Sequence, residues 1–280
     1  MKTPIEVYIR SRPTDNFASK NIAVDNDKNT ISIHIPKRKE DGPINHQQDQ
    51  WTFKFDKILM NESQECVFEL AGKKAITSLL DGFSCSLVAY GQTGAGKTFT
   101  TIGLNNDYRV RGLIPRAISE LFNQVNVLTE KNFKVKISFV EIYNEVIHDL
   151  LTRETEGNIV LQEDPVYGVT PKGATFVNVT SEEAALQLLF QGEINRTVCE
   201  HKLNKQSSRS HVIFSMVVEA RSRFESLEKV CVSKLNIIDL AGSERTKKTH
   251  STGETLLEAS FINKSLSYLE QLVVGYSEKK

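Results

Sequence analysis

The chain holds 280 residues with 35 basic and 35 acidic side chains, so its formal net charge is zero. Bulk attraction to nucleic acid or to an anionic membrane is thereby excluded, and any charged partner must be met by a local patch. Hydrophobic residues at 39% supply a substantial core, no apolar run is long enough to span a bilayer, and four separated cysteines without a CxxC pair give neither a zinc ribbon nor a disulfide scaffold.

The N-terminus lacks the apolar core of a signal peptide, which places the chain in a reduced, cytosolic setting. Ile5, Val7 and Ile9 alternate with polar neighbours and predict a first strand that ends at Arg12-Pro13. Ile31–Ile35 and Trp51–Phe55 predict two more, separated by a polar loop from Pro36 to Gln50. A helix follows, with Asn61 and Gln64 spaced as a capping box, Phe68, Ala71, Ala75 and Leu79 on one face, and Gly82 at the C-cap. The run Leu87-Val88-Ala89-Tyr90 then predicts a strand buried on both faces of a parallel sheet.

Directly after that run stands Gly91-Gln92-Thr93-Gly94-Ala95-Gly96-Lys97-Thr98, a match to GxxxxGK[ST]. Glycines let a backbone curl around phosphates so that successive N–H groups point inward. Lys97 is placed to reach the β- and γ-phosphates and the Thr98 hydroxyl to ligate Mg²⁺. The next residues should begin a helix whose positive end faces the anion. The motif carries weight because it sits between a buried strand and a helix start.

Further on, Phe133, Val135, Ile137 and Phe139 alternate as a strand, and Thr180 with Glu183 caps a helix bearing Ala184, Leu188 and Leu189. A loop, Asn204-Lys205-Gln206-Ser207-Ser208-Arg209-Ser210-His211, leads into the alternating Val212, Phe214, Met216 and Val218. A second buried run, Leu235 to Ile238, ends at Asp239-Leu240-Ala241-Gly242-Ser243-Glu244. A phosphate-loop protein needs a second strand whose acidic residue supports the metal, and Asp239 stands at that strand end. Gly242, with no Cβ in the way, could bring its N–H to a γ-phosphate. The last helix carries Ile262, Leu266, Leu269 and Val273 on one face. Alternating strands and helices predict one α/β domain over residues 1–280, with a central, mostly parallel mixed sheet and helices on both faces.

GQTGAGKT, NxxSSRSH and DLAGSE, taken together, resemble the P-loop, switch I and switch II of the kinesin motor family. Arg10-Ser11-Arg12-Pro13 resembles that family's RxRP, Arg111–Arg116 its RGIIPR, Glu141-Ile142-Tyr143-Asn144-Glu145 its EIYNE, and Ile262-Asn263-Lys264-Ser265-Leu266 its INKSL. The resemblance runs over nearly the whole chain. It implies a microtubule-stimulated, Mg²⁺-dependent ATPase with tubulin as its partner. Arg10 and Pro13 would flank adenine, and Gln92 through Thr98 would cradle the phosphates. Ser207 would touch the γ-phosphate or the attacking water. Ser208 and Thr98, with Asp239 through a water, would hold the metal. Arg209 and Glu244 would form a pair that closes around ATP, with Glu244 accepting a proton through water. Lys247, Lys248 and Lys264 would face acidic tubulin, although Thr255–Ala259 is less basic than the family's usual RLKEA-like stretch.

The resemblance also implies a further strand and helices beyond Lys280, so the chain is expected to be C-terminally incomplete, and any homodimer would form through segments outside it. The Trp51–Asp56 and Ser267–Gln271 stretches look most like kinesin class nine, a cilium- and flagellum-associated class on the cytoskeleton. GTP use is disfavoured because neither Asn204-Lys205 nor Asn263-Lys264 is followed by the aspartate of a guanine reader. Myosin is disfavoured because Gly242-Ser243-Glu244 replaces a GFE-like ending. A non-motile, nucleotide-gated microtubule-binding protein is the alternative reading.

Overall fold

A computed structural model describes residues 5–36, 48–104, 107–152, 159–202, 207–223, 230–243 and 254–278. The chain forms two compact units, 1–63 and 64–280.

In the first unit β1 (Tyr8–Arg10) pairs in parallel with β5 (Lys57–Leu59), while β2 (Ile22–Asp25), β3 (Thr30–His34) and β4 (Gln50–Lys54) make an antiparallel meander. The β2–β3 turn forms because Asp25 Oδ1 accepts the Lys28 N–H at 3.0 Å and Asn29 tolerates a φ of 52°. The second and third strands lie where alternation put them. The first is shorter than expected: the Asp56 carboxylate takes the Val7 N–H at 2.7 Å, and Ile5 and Val7 stay exposed.

The second unit begins with α1 (Gln64–Val67), a π-helical turn (Phe68–Gly72) and α2 (Lys73–Leu80). Then come β6 (Cys85–Ala89), α3 (Lys97–Thr101), a 3₁₀ turn (Tyr108–Val110) and α4 (Leu113–Val127). The chain continues with β7 (Lys131–Tyr143), β8 (Val146–Asp149), β9 (Val160–Asp164), β10 (Gly168–Lys172), β11 (Val177–Val179) and α5 (Glu182–Lys202). A second 3₁₀ turn (Ser207–Arg209), β12 (His211–Ser222), β13 (Val230–Asp239) and α6 (Glu254–Glu278) complete it.

The main sheet has the order β11-β7-β12-β13-β6, with β8 folded back on the end of β7. Its inward alternation buries Ile137, Phe139, Phe214, Met216, Leu235 and Ile237 almost completely; α2, with Ile76 and Leu79 buried, packs on β6, β12 and β13, and α4, with Ile114, Ile118 and Leu121 buried, packs on α2 and α5. Phe139 and Phe214 meet edge-on, with centroids 5.3 Å apart. The opposite face is polar at its centre. There Ser215 Oγ donates to Asn236 Oδ1 at 2.8 Å, and Lys136 ion-pairs with Glu219. The β9–β10 hairpin is clasped over that face, because Tyr167 Oη donates to Glu219 at 3.0 Å and Lys234 Nζ donates to the Tyr167 and Val169 carbonyls.

The α/β class and the mixed sheet are as the sequence predicts, but the balance of strand directions is not. Among the described strands of this sheet only β13–β6 is parallel. The reason is connection length. Two residues join β7 to β8 and seven join β12 to β13, too few for a parallel crossover. β6 is also not buried on both faces: Val88 is 44% and Tyr90 55% exposed, because β13 is its sole described neighbour. Cap positions differ as well. Asn61 adopts φ 57°, outside N-cap geometry, and the α5 cap is Ser181, whose Oγ accepts the Ala184 N–H at 3.2 Å, one residue after Thr180. Gly82, at φ 92°, does close α2, its N–H bonding to Leu79 O at 3.1 Å. On α6, Leu266 is buried but Val273 is exposed. No helix among the described residues is long and apolar enough to cross a membrane.

Candidate nucleotide-binding site

β6 delivers the loop 90–96 at the end of the sheet. Gly94 and Gly96 take φ values of 79° and 95°, a left-handed backbone that side chains strain to adopt. Gln92, Thr93, Gly94 and Ala95 form the exposed crest, and Lys97 opens α3. Its Nζ folds back across the loop to the Gly91 and Gln92 carbonyls at 2.9 and 3.1 Å.

β13 lies parallel to β6 with Asp239 opposite Ala89, so the sheet register itself sets the Asp239 carboxylate beside the glycine-rich loop. Thr98 Oγ1 donates to Asp239 Oδ2 at 2.5 Å. Asp239 is 5% exposed. Burial pushes its carboxyl above the usual aspartate range, against the lowering pull of the Thr98 hydrogen bond and of the Arg196 and Lys97 charges. Its Oδ1 is buried without a hydrogen-bond partner. A hydroxyl beside a buried carboxylate with one oxygen free is an oxygen donor set that fits a hard cation such as Mg²⁺.

The loops after β13 and before β12 close on the same place. Gly242 N–H donates to Ser208 O at 2.8 Å, Ser243 N–H to Gly91 O at 3.1 Å and Leu240 N–H to Ala89 O at 3.3 Å. Lys97, Thr98, Ser208, Asp239 and Gly242 are therefore joined through one short network. Arg209 is half-buried beside it in the 3₁₀ turn. The Ser207 side chain, Glu244, Lys247 and Lys248 lie outside the described residues, and with them the Arg209–Glu244 pair. Arg10 and Pro13 belong to the first unit, where the Arg10 guanidinium donates to Glu62 O at 3.3 Å and Pro13 is exposed. Lys264 is exposed on α6 and pairs with Glu145 at 3.3 Å, in the β7–β8 turn.

Three features escaped the sequence reading. Gln64 is buried, not a cap; its amide donates to Phe99 O at 2.6 Å and Val110 O at 3.2 Å, bracing α3. Glu141 and Arg196 form a buried pair at 3.8 Å near the site. The signal for Glu141 was present, since it continues the inward alternation of Val135, Ile137 and Phe139. Arg196 likewise continues the buried stripe of Ala185 and Leu189 on α5. His211, finally, bridges two elements, as described below.

A glycine-rich loop after a sheet strand, a carboxylate on the parallel neighbour and two loops bonded around them define a phosphate-loop α/β protein. The family described as the kinesin motor domain matches residues 10–280, and the chain belongs to that family. It is similar to the kinesin-like protein KLP1 of Chlamydomonas reinhardtii, 46% identical over 100% of this chain and 36% of that protein. It is also 42% identical to the kinesin-like protein KIF9 of Mus musculus, over 98% of this chain and 35% of that protein. The chain thus spans about a third of the length of these curated relatives, and the match to KIF9 agrees with the class-nine resemblance. Among solved structures, a fast kinesin analysed for its ATPase mechanism and microtubule interactions superposes with TM-score 0.79 at 29% identity, covering 93% of this chain and 72% of that one. The C-terminal motor and motor homology domain of Kar3Vik1 gives 0.76 at 35% identity, covering 94% and 67%.

Proposed function

We propose that residues 1–280 act as a single ATP-hydrolysing, microtubule-binding motor domain that converts γ-phosphate sensing into changes of filament affinity. The observation that carries this reading is the Thr98–Asp239 pair, an exposed hydroxyl on a buried carboxylate that keeps one oxygen open, with Gly242 three residues on bonded to Ser208. Magnesium held by Thr98, Ser208 and, through water, Asp239 would neutralise charge on the β- and γ-phosphates. Lys97 leaves its loop carbonyls to bind those phosphates. The Gly242 N–H exchanges Ser208 O for a γ-phosphate oxygen. Ser207 orients the attacking water, and Glu244, paired with Arg209, receives its proton through a second water. Water adds to the γ-phosphorus and ADP departs.

Arg10 and Pro13 flank adenine, and Lys247, Lys248 and Lys264 meet acidic tubulin. The sequence likeness to class nine supports a place on cytoskeletal microtubules, in cytoplasm or in a cilium or flagellum, and dimerisation through other segments of the protein. The test is ATP turnover with and without microtubules, together with Glu244→Ala. That variant is expected to bind ATP and lose turnover by about 100-fold or more, the scale of a lost general base. Near-normal turnover discards the assigned chemistry. Failure to co-sediment with microtubules in every nucleotide state at low salt, where charge attraction is least screened, discards the track.

A further inference from the structure

His211 opens β12 one residue beyond the Ser207–Arg209 turn and is 9% exposed. Its Nδ1 lies 3.0 Å from the Ala241 N–H, one residue before Gly242, and its Nε2 lies 2.6 Å from Ser265 Oγ on α6. Ser265 Oγ in turn lies 2.8 Å from Ile262 O. The Ala241 amide can only donate, so Nδ1 must offer a lone pair, and this assigns the proton of the neutral ring to Nε2. The Nε2–H then donates to Ser265 Oγ, and the Ser265 hydroxyl donates to the Ile262 carbonyl. Each member gives one hydrogen to the next, and the chain runs in one direction from the loop after β13 into α6. Burial and the Lys97 charge hold the imidazole below the usual histidine range, while Glu145 opposes them, so the neutral ring this chain requires prevails at neutral pH.

We propose that His211 is a positioning residue that ties the Ala241–Gly242 backbone to α6, so that a change at the phosphate-sensing loop turns a rigid ring against Ser265. The imidazole is planar, with its two nitrogens on opposite sides, and neither end can shift far without straining or releasing the other. The proposal deepens the motor reading and rests on it for the nucleotide that moves the loop. A histidine that merely filled space would need neither bond.

The experiment is hydrogen–deuterium exchange of α6 in the full protein, compared between ADP and a non-hydrolysable ATP analogue. The wild type is expected to differ between the two by about fivefold or more, the low end of measured site-to-site coupling. His211→Gln can still reach Ser265 but offers Ala241 no acceptor, and His211→Asn keeps an acceptor but cannot reach Ser265. Each, like the milder Ser265→Ala, should abolish the difference, and His211→Asn with Ser265→Ala should do no more than either alone, because both cut one chain. ¹⁵N-histidine NMR should find Nδ1 bare and Nε2 protonated at neutral pH. An unchanged α6 response in Ser265→Ala, no response in the wild type, or the opposite tautomer overturns the proposal. Absent ATP turnover with the α6 response intact would instead count against the motor chemistry alone.

Discussion

Burial works against a charge on Asp239 more strongly than the Thr98 hydrogen bond and the Arg196 and Lys97 charges favour it. Its folded pKa is raised above the aspartate value of 3.8, chiefly by burial. Its stabilising contribution is therefore complete below about 3.8 and is lost as pH rises through the folded value. Wherever it is ionised, the half-satisfied carboxylate weighs against folding, as functional groups often do. Asp239→Asn keeps an acceptor for Thr98 and removes the charge. The metal-free variant should melt a few degrees higher, about 2–4 °C for each kcal/mol recovered in a domain this size. It should also lose the Mg²⁺ dependence of nucleotide binding; a lower melting temperature with Mg²⁺ dependence intact would contradict both roles. Lys97, Thr98 and Asp239 were legible in the sequence because loop glycines and strand ends fix them locally. Gln64 and His211 were not. Gln64 meets carbonyls 35 and 46 residues away, and His211 meets an amide 30 residues away and a hydroxyl 54 residues away; nothing in a polar letter says which distant group it will meet.

Among the elements, α5 shows how a missing side chain sets a distance. A Cβ on Gly192 would stand 2.2 Å from the Phe139 ring, so the helix lies against β7 only because that position is bare. In a helix interior alanine normally gains about 1 kcal/mol over glycine. Here overpacking should win by about 1–3 kcal/mol, and the urea midpoint of Gly192→Ala should fall. A rise would mean that the ring moves aside freely. Since α5 runs towards the Ser207–Arg209 turn, weaker nucleotide binding should accompany the loss. Periodicity identified this helix and the long strands. It misplaced the α5 N-cap by one residue, because Thr180 and Ser181 are equally good acceptors and only the backbone path chooses between them. It also gave no hint that the Tyr167 turn would be pinned to Lys136, Glu219 and Lys234 across three strands.

For the whole molecule, pH offers the cleanest probe. Because the His211 pKa is lowered from 6.5, the unfolded chain binds its proton first as pH falls. Stability should hold above about 6.5 and decline as pH drops towards the folded value. Denaturant melts at pH 7.5 and 5.5 should differ by less in His211→Asn than in the wild type; an identical pH slope would remove the histidine from the account. The α/β class was readable from alternating periods, whereas strand direction was not. Antiparallel β7, β12 and β13 and parallel β6 share the same apolar alternation, and the loops between them decide.

The parallel ladder between β6 and β13 has one last mechanical meaning. Asp239 ends β13, and the loop and helix that carry Thr98 follow β6, its neighbour across five paired positions, so the sheet as well as their own hydrogen bond holds the two groups together. Their spacing behaves as a fixed jaw. Ala241 and Gly242 lie just past the last stitch, and α6 lies outside the stitching altogether, so on the proposed motor reading these, and not the jaw, are the parts that would travel. On that reading the grip would stay constant while the messenger moved.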